Sequence, residues 1–200
     1  MRKLNYSRKT KSLTFNLWVV GVFVFLVLSI SACTSLNNHD NSILPNGKFA
    51  EGEWDGAVET KLNENVVLLT RQDCEYYYVG FKFTKDMHTG IDLYLVDSDN
   101  NRKMLHVSSA LGEKDFSGGE WSEYRWGENI DWVANSIGMI WDGEKNVSLK
   151  PEGFEFQIRK KVLPGDKWSF RIHLKRPTLI YPEDSTIEDI KGWQTLDFRK

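Results

Sequence analysis

The sequence predicts an all-β protein: an antiparallel β-sandwich of jelly-roll or immunoglobulin-like architecture, forming one domain behind an N-terminal leader. Three observations carry this. Apolar residues alternate with polar ones at period two from residue 48 onward. The alternating segments are short and separated by Gly, Pro, Asp and Asn clusters. No segment longer than about ten residues has the 3.6-residue periodicity of an amphipathic helix. Because successive strand side chains point to opposite faces, each alternating segment is expected to bury one side and wet the other.

The clearest strands lie late in the chain. Phe154, Phe156 and Ile158 alternate with Glu155, Gln157 and Arg159, and Trp168, Phe170, Ile172 and Leu174 repeat the pattern over 167–175. Pro164-Gly165-Asp166 between them is turn chemistry, so the two are expected to pair as a hairpin. Burying these seven apolar side chains is worth roughly 1.5–3 kcal/mol each. Earlier, Tyr77, Val79, Phe81 and Phe83 share one face of 75–84, and Ile91, Leu93 and Leu95 share one face of 90–97. The run Val66-Val-Leu-Leu69 reads as a strand covered on both sides. Asp97-Ser-Asp-Asn-Asn101 is a turn leading into a strand at 103–109. Residues 176–200, with Pro177 and Pro182, either return as an edge strand or wrap the sandwich.

The N-terminus has a different character. Arg2, Lys3, Arg8, Lys9 and Lys11 precede an apolar run, Trp18 to Ile30, followed by Ser31-Ala32-Cys33. A basic region, a short apolar region and small residues at the cut describe a secretory signal peptide. The run is also shorter than the ~20 residues of a spanning helix. Residues 1–32 therefore read as a leader, 33–42 as a polar flexible tether, and 43–200 as the domain. The leader holds five of the 26 basic residues and none of the 28 acidic ones, so the remaining 168 residues carry a net charge of −7. That surface repels phosphate backbones, and nucleic acid is not an expected partner. Cys74, flanked by Asp73 and Glu75, is read as structurally neutral.

Residues 118–143 break the alternation and hold four of the eight tryptophans, at 121, 126, 132 and 141. Pyranose rings present C–H patches that stack on flat indole faces, while acids, amides and arginine take their hydroxyls. Trp121, Tyr124, Arg125, Trp126, Glu128, Asn129, Asp131 and Trp132 supply both kinds of group within twelve positions. The same tryptophans also fit as ordinary core closing one end of the sandwich. Trp54 and Trp168, inside regular patterns, are read as core.

Other chemistry has little support. The histidines at 39, 88, 106 and 173 lack metal-ligand spacing, and His106 and His173 are read as solvent-facing or locally hydrogen-bonded. Asp97, Asp99 and Asn101 open like a calcium loop, but Arg102 takes its glycine position and no Glu closes it. No Gly-x-Ser-x-Gly, phosphate-cradling loop or patterned Ser/His pair is present, so no catalysis and no cofactor is expected.

Two resemblances add expectations. Ile30-Ser-Ala-Cys33 resembles the lipobox of bacterial lipoproteins, which implies a lipid on Cys33 and a membrane-anchored envelope protein. Thr34 in place of Asp implies the outer membrane. Leu44-Pro-Asn-Gly47, Glu53-Trp54, Ala57, residues 73–83, 91–97, 155–158 and 168–171 together resemble family 9 carbohydrate-binding modules and DOMON-like sandwich domains. The resemblance spans 43–175 and implies a non-catalytic glycan-binding β-sandwich. The alternative is a structural or assembly component of the envelope that docks another protein.

Overall fold

The computed structural model describes residues 43–84, 90–127, 129–135, 139–141, 143–148, 151–175 and 178–199. The chain divides into two units, 1–39 and 40–200, and every described residue belongs to the second. Cys33, Glu128, and His39 and His88 lie outside the described residues, as do the leader and tether.

The domain is all-β, as expected: two antiparallel sheets pack face to face. One contains β1 (Val58–Lys61), β2 (Val66–Gln72), β3 (Tyr76–Phe83), β12 (Gly153–Arg159) and β9 (Trp132–Ala134), in the spatial order β1-β2-β3-β12-β9. The other runs β14 (Thr178–Tyr181), β13 (Lys167–Lys175), β4 (Ile91–Val96), β5 (Arg102–Val107), β6 (Leu111–Ser117) and β7 (Glu120–Trp121). In that sheet β15 (Gln194–Asp197) also pairs with β13, and β8 (Arg125–Trp126) with β6. A separate two-stranded ribbon joins β10 (Met139–Trp141) to β11 (Asn146–Ser148). Among the described residues the sole helical turn is a 3-10 turn at Ile190–Gly192. No helix there is long and apolar enough to cross a membrane.

The inward faces are the ones the alternation marks. Tyr77, Val79, Phe81, Phe154, Phe156 and Ile158 meet Ile91, Leu93, Leu95, Leu105, Trp168, Phe170, Ile172 and Leu174, all buried. Phe81 bridges the layers, its ring 6.2 Å from both Phe156 of its own sheet and Phe170 of the other.

The expected hairpin between 153–159 and 167–175 does not form. The first strand pairs with β3 and β9, the second with β4, β14 and β15, so they lie in opposite sheets. Alternation assigns a face but not a neighbour, and two apolar faces are satisfied either side by side or opposed. Here the connection 160–166 crosses between sheets, with Leu163 buried at the crossing and the Tyr77 hydroxyl donating to Gly165 O and Asp166 Oδ1 at 2.9 Å.

Both outer faces are also partly covered, which the alternation did not foresee. Segment 43–57 lies over the β2–β3–β12 face: Trp54 packs above Gly80, stacks on Phe49 at 5.8 Å, and donates its indole N–H to buried Glu155. Trp54 is thus a half-buried cover and not inter-sheet core, whereas Trp168 is core at 1 % exposure. The C-terminal stretch does both things left open for it: β15 adds to β13, Phe198 packs on Tyr77 and Trp168, and 182–193 straps the other outer face. Arg171 is buried beneath that strap, its Nε donating to Ser185 O at 3.2 Å.

Candidate functional site

The outer face of the larger sheet carries the candidate site. Its side chains follow from register: Asp92 pairs with His106, Gly112 with Trp126, and Phe116 with Trp121. Because His106 faces outward, Gly112 opposite it also faces outward, and its missing side chain leaves a floor for aromatic rings. Trp126 and Tyr124 occupy that floor, stacked with ring centres 4.5 Å apart and planes 23° apart. A Cβ on Gly112 would fall 2.7 Å from Trp126 Cε3 and 3.2 Å from Tyr124 Cδ1. The Lys114 ammonium sits 4.4 Å above the Tyr124 ring. Trp126 keeps half its surface in solvent (51 %), unusual for so large an apolar group.

Beneath this pair lies a buried polar relay. His106 places Nδ1 2.5 Å from Asp92 Oδ1 and Nε2 3.0 Å from Ser108 Oγ. Its ring also stands edge-on to Tyr124 and Trp126, at 5.8 and 5.7 Å. Lys175 Nζ approaches Asp92 Oδ2 at 3.7 Å. Burial, then the Asp92 charge, raises the Tyr124 pKa; the same two causes push Tyr94 up to about 12. The aromatic surface continues through Trp121, which packs on Phe116 at 5.3 Å and Tyr94 at 5.7 Å.

Of the residues singled out from sequence, Tyr124, Trp126 and, half-buried beside Tyr94, Trp121 share this face. Arg125, between the two rings, points the other way and joins Glu113 at 2.5 Å and Asp115 at 2.7 Å. Asp131 pairs with Lys161 at 2.8 Å, which lowers its pKa, and Asn129 is an exposed turn residue at φ 67°. Trp132 requires a correction: it is 2 % exposed, packs on Phe156 in the core, and donates to Glu113 Oε2. Its indole face is therefore not offered to a ligand; the strand pattern Trp-Val-Ala points its first residue inward.

The calcium candidates Asp97, Asp99 and Asn101 form the turn between β4 and β5. Asp97 is buried, and its Oδ1 accepts the backbone N–H of Asp99 and of Asn101 at 2.9 Å while Oδ2 accepts Asn101 Nδ2 at 2.7 Å. That carboxylate is committed to holding the β4–β5 hairpin. Among the described residues no group of three His, Cys, Asp or Glu stands ready to hold a metal.

Sequence reading missed the Asp92–His106–Ser108 relay, having placed His106 in solvent or a local bond. A signal exists: His106 and Ser108 are two apart on one strand, hence on one face, and Asp92 falls opposite once the Asp97–Asn101 turn fixes the register.

A second concavity, about 570 Å³, lies over the β1–β2–β3 face between Phe49, Trp54, Leu69 and Lys82. It is the seam along which segment 43–57 meets the sheet. No protein-family model, curated protein or solved structure matches the chain. The fold class therefore stands on the structure's own strands.

Proposed function

We propose that this domain binds a glycan, with the Tyr124–Trp126 pair as the platform on which a sugar ring stacks. One observation carries the reading: two stacked aromatic rings sit on a glycine floor, one of them half exposed, next to hydroxyl-binding groups in Ser108 and Lys114. A flat indole face fits the apolar face of a pyranose, and each such aromatic contact adds about 1 kcal/mol beyond area burial. The resemblance of 43–175 to family 9 carbohydrate-binding modules supports the same class of ligand.

Titration of the purified protein against an array of envelope and plant-type polysaccharides tests this. Trp126→Ala is expected to weaken binding about tenfold or more, matching loss of about 1.4 kcal/mol. Gly112→Ala should do the same with Trp126 intact, because its methyl displaces both rings. Binding to no glycan, or equal binding by folded Trp126→Ala, overturns the reading.

The domain would work at a membrane. Cys33, directly after Ile30-Ser-Ala, is proposed to carry the lipid that anchors the chain in the cell envelope, at the outer membrane. One acyl chain binds only marginally and two or more hold firmly, so a lipoprotein-type anchor keeps even a weak site at high local concentration. Cys33→Ser is expected to abolish incorporation of labelled palmitate and to move the protein out of the membrane pellet. Unchanged labelling would refute the anchor.

A further inference from the structure

We infer that Asp92, His106 and Ser108 form a nucleophilic triad that cleaves small acyl esters. Only the sugar half of the substrate, an O-acylated glycan, rests on the platform reading above. The nitrogen assignment is what a triad needs. The carboxylate engages Nδ1, which fixes the proton there and leaves Nε2, at 3.0 Å, as the nearer of two acceptors for the serine hydroxyl, the other being Ala110 O at 3.3 Å. The base is buried and its orienting acid is 5 % exposed, while Ser108 is only partly buried at the head of the β5–β6 hairpin. Three elements lock the geometry. Asp92 and His106 are directly opposed across β4–β5, and Tyr124 and Trp126 hold the imidazole edge-on from above. The imidazole is thus within about 6 Å of the rings that would carry the sugar, and the serine is one hydrogen bond beyond it, which sets an acyl group on a stacked sugar beside the nucleophile.

The reaction needs no cofactor. Ser108 Oγ bonds to the ester carbonyl carbon as its proton passes to His106 Nε2 and the carbonyl π pair moves onto oxygen. The tetrahedral adduct collapses, the bond to the sugar oxygen breaks, and that oxygen takes the proton from Nε2. Water, deprotonated by His106, then attacks the acyl-serine and releases the carboxylic acid and Ser108. Asp92 remains ionised throughout and orients the ring.

The test uses diisopropyl fluorophosphate and p-nitrophenyl acetate, neither of which requires sugar binding. The purified full chain is expected to take up one phosphoryl adduct, mapped by mass spectrometry to Ser108, and to hydrolyse the ester. Ser108→Ala should remove both. His106→Gln should slow adduct formation and turnover by roughly 100-fold or more. Ser108→Ala removes one hydroxyl from a partly exposed turn residue and is expected to fold, so its circular dichroism should match wild type. Because neither probe rests on the aromatic platform, an adduct on Ser108 in a chain that binds no glycan would remove the platform and leave the triad standing. Absence of an adduct on Ser108, or an equal modification rate in folded His106→Gln, overturns the triad even where glycans bind.

Discussion

Glu155→Ala is expected to destabilise the domain by about 3 kcal/mol and to release segment 43–57 from the sheet. The side chain is fully buried on β12, and its carboxylate is the anchor for that segment. Oε2 accepts the backbone N–H of Asn46 at 3.0 Å and of Gly47 at 2.7 Å, and Oε1 accepts the Trp54 indole N–H at 2.9 Å. Hydrogen bonds to a charged acceptor contribute about 1.5–3 kcal/mol each, and truncation leaves three donors without a partner. Detachment of the segment re-solvates them, which caps the loss below the sum. Glu155→Gln should rescue only part, because an amide turns an N–H toward donors that both oxygens now serve. Burial raises the Glu155 pKa, with the neighbouring Glu53 charge adding to it and the three donors opposing. The folded state thus holds that proton more tightly than the unfolded chain. Its contribution is complete below the ordinary glutamate range and is lost as pH rises through the native value. Urea melts across pH 4–7 should show that slope in wild type and a flatter one in Glu155→Gln. Limited proteolysis should cut the Ala variant within 43–57 first. A variant as stable and as protected as wild type would remove this anchor from the account.

The same carboxylate marks where sequence reading reaches its end. Period-two alternation identified the inward faces of β3, β4, β12 and β13, because burial of Phe81, Leu93, Phe156 and Phe170 is written residue by residue in the pattern. It read Glu155 and Arg171 as wetted, and both are buried. What covers them comes from segments 108 and 14 positions away along the chain, and alternation within one strand carries no information about distant covers. The hairpin expectation failed for the same reason: pairing is a property of two strands, and 153–159 found partners at 76–83 and 132–134. At the site, the Tyr124–Trp126 pair was legible as composition, but its floor was not, since Gly112 becomes meaningful only when the register sets it beneath Trp126. The relay required the register of β4 on β5, which sets Asp92 against His106. Trp132 shows the opposite case, in which composition pointed outward and a three-residue strand turned the indole into the core.

Glu113→Ala should cost roughly 3–5 kcal/mol, the range for removing one partner from a buried ion pair. Glu113 stands on the inward face of β6, opposite Leu105, with its side chain only 4 % exposed. There it closes the open end of the sandwich with charge where the rest of the core uses hydrocarbon. Oε1 meets Arg125 at 2.5 Å; Oε2 meets the Trp132 indole N–H at 2.9 Å and Lys103 Nζ at 3.6 Å. Truncation strands Trp132 Nε1 in the core and leaves Lys103, itself 12 % exposed, to Asp115 alone. Arg125 is half exposed and keeps Asp115, so its share of the loss is small. A double replacement separates the contributions. Glu113→Leu with Lys103→Met exchanges the pair for apolar groups of similar volume, a change that is often neutral or stabilising. It should recover all but about 1–2 kcal/mol, the cost of the orphaned indole N–H. Thermal melts of the two variants measure this directly, and near-ultraviolet dichroism reports whether Trp132 keeps its environment. Since Arg125 ties β8 to Glu113 as well as to Asp115, the single variant should also loosen the neighbouring Trp126 in part and weaken glycan binding, while the double variant restores stability without restoring the Glu113 tie. Full recovery of binding in the double variant would show that the platform is held without Glu113, by Gly112, the β6–β8 backbone pairing and Asp115.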